Sequence, residues 1–225
     1  MLLSDTGNGP CETLVAELRD YPEWHRGRAR YGVWLAPVFD QALHDYIRAL
    51  RQRLSDLLYP SPQRQLHLTL FVCGFEQPTS VMDDDFTPAQ LRRQIELLGR
   101  ARGGPCALPL GPVDSFASAV FIPVGDPEGR LSRWRHALEH AGCEIRQAAY
   151  VPHITLGLYR RKVAANDLRA RLSEIDLPPV SLTVTELHYA TYCARTHFGP
   201  LESHHRMALH SVTGCGNHLD PLAVE

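Results

Sequence analysis

Two tetrapeptides, His67-Leu68-Thr69-Leu70 and His153-Ile154-Thr155-Leu156, repeat one pattern of His, apolar, Thr, apolar. Side chains alternate across a β-strand, so in each string the imidazole and the hydroxyl share one face and the aliphatic residues share the other. Chance expects roughly 0.1 such strings in a chain of this composition, and two on the order of 0.01. Two imidazoles brought to one site suit displacement at phosphorus. One accepts the proton of an attacking water or hydroxyl while the other protonates the leaving ester oxygen. The threonine hydroxyls on the same faces would donate to the non-bridging phosphoryl oxygens, where charge is redistributed in the transition state. The scheme needs no cofactor and no metal, and it assigns none. His153 is assigned as general base and His67 as general acid, an order that the residues alone leave open.

The flanks place both strings on strands. Leu66, Leu68, Leu70 and Val72 read as one face, with Gln65, His67, Thr69, Phe71 and Cys73 opposite. Pro152, Ile154, Leu156 and Leu158 likewise oppose Val151, His153, Thr155, Gly157 and Tyr159, with the proline at the strand start, where one is tolerated. This alternation puts Phe71 and Tyr159 on the motif faces. With Tyr150 and Tyr192 they are candidates to stack a nucleobase. Arg160, of the run Arg160-Arg161-Lys162 after the second motif, is the candidate phosphate contact. Cys73 reads as a buried thiol. Adjacent His204 and His205 on a strand point to opposite faces, poor geometry for a shared ion.

The phrases QLHLTLFVCGF (65–75) and YVPHITLGLY (150–159) resemble the two signature motifs of the 2H phosphoesterase superfamily, which includes the RNA 2',3'-cyclic phosphodiesterases once called 2'-5' RNA ligases. The resemblance spans residues 30–213 and is complete at His67, Thr69, His153 and Thr155. Leu158 stands where the RNA-cyclic-phosphate branch often carries a basic residue. The resemblance implies two pseudo-symmetric lobes, each an antiparallel sheet backed by helices, with a central cleft between the motif strands. It also implies phosphodiesterase activity on a 2',3'-cyclic or related 2'-linked ester. The alternatives are ATP-independent end joining by the reverse reaction and a non-catalytic nucleotide- or RNA-binding protein.

The 225 residues, 44% of them hydrophobic, suffice for one core. A formal charge of −2 offers no general attraction to a long polyanion, so a small nucleotide or a short RNA end is the expected partner, not a long duplex. Lys162 is the sole lysine. Its setting resembles no lysyl-nucleotide site, and the chain has no phosphate-binding G-x-x-x-x-G-K loop, which argues against a nucleotide-consuming ligase. Six scattered cysteines without a C-x-x-C pair favour reduced thiols. No apolar run is long enough to cross a bilayer, and residues 1–10 lack a leader pattern. The reading is a cytoplasmic monomer with no membrane partner.

Periodicity alone gives α+β. It predicts an extension over 1–29 with a short helix at 12–19, a strand at 31–38, and helices at 41–58, 87–99 and 128–140. Strands at 106–113 and 118–124 read as a hairpin. A further helix runs from about 166 to 175 and ends at Pro178-Pro179, strands follow at 180–193 and 204–212, and 214–225 form a tail. Strand, helix and motif strand occur twice in that order, which suggests an internal duplication.

Overall fold

The computed structural model describes residues 2–60, 63–146, 148–175, 181–196 and 198–210. The first half runs α1 (Pro22–His25), β1 (Arg30–Pro37), α2 (Gln41–Arg53), β2 (His67–Glu76), β3 (Asp85–Phe86) and α3 (Pro88–Ala101). The second continues with β4 (Cys106–Pro109), β5 (Asp114–Ser115), β6 (Ala119–Pro123), α4 (Arg130–Glu139), β7 (His153–Leu158) and α5 (Ala165–Ser173). Strands β8 (Ser181–Val184), β9 (Glu186–Cys193) and β10 (Glu202–Ala208) complete it.

The helices form for local reasons. Asp40 caps α2 by accepting from the Leu43 amide at 2.8 Å, and Leu43, Ile47 and Leu50 bury one stripe. Thr87 and Gln90 make a reciprocal capping box at the start of α3, with Pro88 in the first turn, where its missing N–H costs nothing. Leu131, Trp134 and Leu138 turn α4 inward, and Leu168 and Leu172 do the same for α5.

Antiparallel pairing joins seven strands in the order β10-β9-β1-β2-β7-β6-β5, with β3 added in parallel to β2. The antiparallel, helix-backed architecture is that implied by the motifs. The two halves share one sheet, however, because the motif strands β2 and β7 are neighbours that pair at Leu68 and Ile154. The predicted hairpin is corrected: β4 pairs with β8 in a separate two-stranded sheet, and only β5 pairs along β6. Pro109 ends β4, and a single bridge, Leu110 to Val124, remains between the expected partners. Helix α2 stops short of 58 because Leu58 is drawn into a bridge with Tyr159. The register shift at His204 brings His204 against Tyr189 and His205 against Trp34, rings that are themselves neighbours, so the two imidazoles do not part to opposite faces. Pro178-Pro179 and the ends of the last predicted strand and the tail lie outside the described residues.

Residues 12–19 are not helical. The amides of Thr13, Leu14 and Ala16 donate to the carbonyls of Val163, Ala117 and Tyr159 at 2.7–2.9 Å, so the backbone bonds are spent on the domain surface. Leu3 is buried in the main core. Near the other end of the segment, the buried Arg28 guanidinium pairs with Asp84 and with Asp85 (2.8 Å), and donates to the Trp24 carbonyl at 3.1 Å. Removing one side of a buried ion pair strands the other charge, so Arg28→Met should lower the free energy of unfolding by about 3 kcal/mol, read by urea denaturation.

Candidate active site

The two halves build their motif strands alike. Strand β1 ends at Pro37 opposite His67, and β6 ends at Pro123 opposite His153. In each case the valine that follows, Val38 or Val124, donates its amide to the carbonyl just before the histidine, that of Leu66 (3.1 Å) or Pro152 (2.9 Å). Each histidine then folds its ring back so that Nδ1 meets the carbonyl two residues earlier, Gln65 at 2.8 Å for His67 and Val151 at 2.6 Å for His153. A carbonyl can only accept, so both Nδ1 atoms carry the proton and Nε2 is the atom left to exchange one.

Each motif also carries a bulge at its fourth residue. Leu35 pairs with Thr69 and Trp34 with Phe71, skipping Leu70; Phe121 pairs with Thr155 and Val120 with Gly157, skipping Leu156. One extra residue reverses the alternation beyond it. That corrects two placements. Phe71 and Tyr159 turn away from the motif faces into the main core, with Tyr159 bonded to Ser115 Oγ at 2.6 Å, and Val72 and Leu158 line the cleft in their stead. The skipped carbonyls are met by arginines. Arg135 of α4 donates from Nη1 to Leu70 at 2.6 Å, and Arg51 of α2 donates from Nε to Leu156 at 2.8 Å. Each arginine comes from the half that does not own the strand.

The remaining candidates divide. Tyr150 donates its hydroxyl to the Thr69 carbonyl at 2.9 Å and lies under the Arg135 guanidinium at 3.8 Å, which braces β2 and leaves no open ring face toward that cation. Arg160 donates to the Asp56 carbonyl outside the cleft, while Arg161 pairs with Asp56 and Lys162 with Glu12, so the basic run is spent elsewhere. Tyr192 does line the cleft, with the Arg64 guanidinium 4.6 Å from its ring, and burial pushes its hydroxyl up to about 12.

The resulting cavity, about 320 Å³, brings His67, Thr69 and Thr155 together with Arg64, Arg146, Tyr192 and Trp24. His153 stands at the matching place on β7, its ring 5.2 Å from Phe116 and 5.0 Å from Phe121. Among the described residues no carboxylate lines the cavity, and the charged groups that do line it, Arg64 and Arg146, are cationic. Burial, and then the nearby Arg64 and His153, push the His67 imidazole down to about 4, against the pull of its carbonyl bond. Burial and Arg146 lower His153 as well. Sequence reading misses both arginines because Arg64 precedes its histidine by three residues and Arg146 by seven, so they share no repeat. Among the described residues, no cluster of three or more His, Cys, Asp or Glu is placed to hold a metal ion. A second cavity, about 390 Å³, adjoins the first across His67 and Leu201 and is lined by Phe39, His44, His188 and Arg206.

An antiparallel sheet whose neighbouring strands β2 and β7 carry the two His-x-Thr pairs beside one cationic cleft is the architecture of a 2H phosphoesterase. A family model described as the 2'-5' RNA ligase superfamily matches residues 38–194, and the chain belongs to that family, within the 2H phosphoesterases. No curated protein matches in sequence. Among solved structures, Escherichia coli LigT complexed with 3'-AMP superposes with a TM-score of 0.54 at 19% identity, over 80% of this chain and 98% of LigT. A structure described as a phosphoesterase gives 0.53 at 20%, over 80% and 98%. The Thermus thermophilus protein TT0787 gives 0.51 at 15%, over 81% and 99%. These likenesses establish the fold.

Two outcomes follow from the geometry. With His67 titrating near 4 when folded and near 6.5 when unfolded, the unfolded chain holds more protons between those values, so stability rises with pH across that window. Denaturation of the His67→Gln protein should show a shallower rise between pH 4 and 6.5 than the parent. Arg135→Met should leave the Leu70 carbonyl without this donor and the buried Glu144, 2.6 Å from Arg135, without its cation. A loss of about 3 kcal/mol in urea denaturation is expected.

Proposed function

We propose that the protein is a metal-independent phosphodiesterase that opens a 2',3'-cyclic phosphate, or cleaves a related 2'-linked ester, on a small nucleotide or short RNA end. The observation that carries this reading is the pair of imidazoles with Nδ1 committed to carbonyls, beside two threonines and two arginines, with no carboxylate among the described residues of the cavity. Arg64 and Arg146 attract the phosphate monoanion, and Thr69 and Thr155 bond its non-bridging oxygens. LigT, of the same fold, has been solved with 3'-AMP, a ribonucleoside 3'-monophosphate, and with NADP+.

The order of the proton transfers is better served by reversing the assignment made from sequence. His67, held neutral by its surroundings, takes the proton from water through Nε2. His153, which lies beside an anionic substrate in the complex, gives one to the leaving oxygen. The adjoining cavity favours one further substrate within this reading, a linear 2'-linked diester with a nucleoside on each side of the scissile phosphorus.

The test is a panel of 2',3'-cyclic mononucleotides, cyclic-phosphate-ended RNA and 2',5'-linked dinucleotides, assayed with chelator present. Activity in chelator is expected, and His67→Ala or His153→Ala should each lower kcat about a hundredfold or more. An aryl phosphodiester, whose leaving group needs no proton, should spare the His153→Ala enzyme and still penalise His67→Ala. Activity that appears only with added divalent metal, or parent rates in His67→Ala, would overturn the mechanism. A longer product from cyclic-phosphate and 5'-hydroxyl fragments would instead mark end joining.

A further inference from the structure

Three tryptophans occur in the chain, and two of them, Trp34 and Trp134, are fully buried. The third, Trp24, is 38% exposed and lines the same cavity as His67, Thr69 and Thr155. It belongs to α1, outside residues 38–194 that match the family model, so this part of the cleft wall is supplied by the chain's own N-terminal segment.

Its placement is rigid. The indole ring packs against Tyr31 at 5.0 Å and Phe75 at 4.8 Å. Its carbonyl is held by Arg28, whose guanidinium is fixed in turn by Asp84 and Asp85 and lies 3.8 Å from the Phe75 ring. Tyr31 and Phe75 cluster with Val72, Tyr192 and Ala194, so Trp24 borders the apolar part of a cavity whose polar part carries His67, the two threonines and the two arginines. A ribonucleotide is divided the same way, an anionic phosphate joined through ribose to a flat, weakly polar base. Tyr192, the other aromatic ring suggested for stacking that lines this cavity, already faces Arg64 at 4.6 Å and Tyr31 at 5.6 Å.

We propose that Trp24 is the platform on which the base of the substrate stacks, so that base recognition comes from the N-terminal segment while the phosphate is handled by the duplicated motifs. The proposal rests on reading the cleft as a nucleotide phosphodiesterase site. Stacking of a base on an aromatic side chain is tolerant of sequence because every base has a π-face, so the platform selects for a base over none rather than for one base over another.

Fluorescence tests it directly in the full chain, since Trp24 alone among the tryptophans is open to an aqueous quencher. Adenosine 3'-monophosphate should shield the emission from iodide, whereas inorganic phosphate and ribose 5-phosphate, which lack a base, should not. Trp24→Leu keeps an apolar contact with Tyr31 and Phe75 but presents no ring. It should lower the ratio of kcat/KM for a 2',3'-cyclic nucleotide over that for a base-free aryl phosphodiester about tenfold, with Trp24→Phe recovering most of the loss. An unchanged ratio, or equal shielding by phosphate alone, would overturn the platform while leaving the phosphodiesterase reading intact. A parent enzyme inert toward every ester of the panel would instead remove that reading, and iodide shielding would still report whether a base docks on Trp24.

Discussion

The site depends on one extra residue in each motif strand. Leu70 and Leu156 interrupt the pairing just past the threonines, and the side chains that follow change face, in β2 until a second shift at Cys73 returns Phe75 to the cleft side. Without these bulges Phe71 and Tyr159 would project into the cleft, and Val72 and Leu158 would take their places in the core. The bulges allow large aromatic rings to be buried directly behind the histidines while the cleft wall keeps short aliphatic groups. They also detach a carbonyl from the ladder, and a buried carbonyl needs a donor. Arg135 and Arg51 supply it, and Arg135 further ties Glu144, which accepts from the Val72 amide at 2.9 Å. Helix, bulge and cleft wall are thus one connected piece of hydrogen bonding.

The electrostatics follow from what surrounds the rings. Two half-buried imidazoles lie near two arginines, with no carboxylate among the described residues that line the cavity, an arrangement that resists charging either ring. A phosphate monoanion changes the balance, because it offsets the arginines and favours an imidazolium beside it. In the proposed reaction, the charge needed by the general acid would be drawn in with the substrate.

The motif residues were legible because their chemistry and their spacing coincide: a period of two places His and Thr together before any bulge intervenes. The helices were legible from their caps and stripes, at Asp40, Thr87 and the leucines of α2. What failed to show was anything that depends on an irregularity. No residue type marks Leu70 or Leu156 as bulged, so Phe71 and Tyr159 could not be told from cleft residues by alternation. Arg160 lay in the densest basic run yet is spent on Asp56, while Arg64 and Arg146 reach the cleft from segments without periodicity. One signal was present and overlooked. Pro37-Val38 and Pro123-Val124 repeat at equivalent places and mark the ends of the strands that brace each motif.

The crossed arginines bear on where such a chain comes from. An ancestor consisting of one half, with a strand, a helix and a single motif, would carry an arginine with no carbonyl of its own to meet and a bulge with no donor. Two copies related by a twofold axis would satisfy each other, each lending its helix to its neighbour's strand, and would set two identical histidines side by side. Fusion of the copies would preserve that exchange while freeing the two sequences to diverge, one imidazole toward taking a proton and the other toward giving one. In such a history, the asymmetry of the chemistry would be younger than the symmetry of the scaffold.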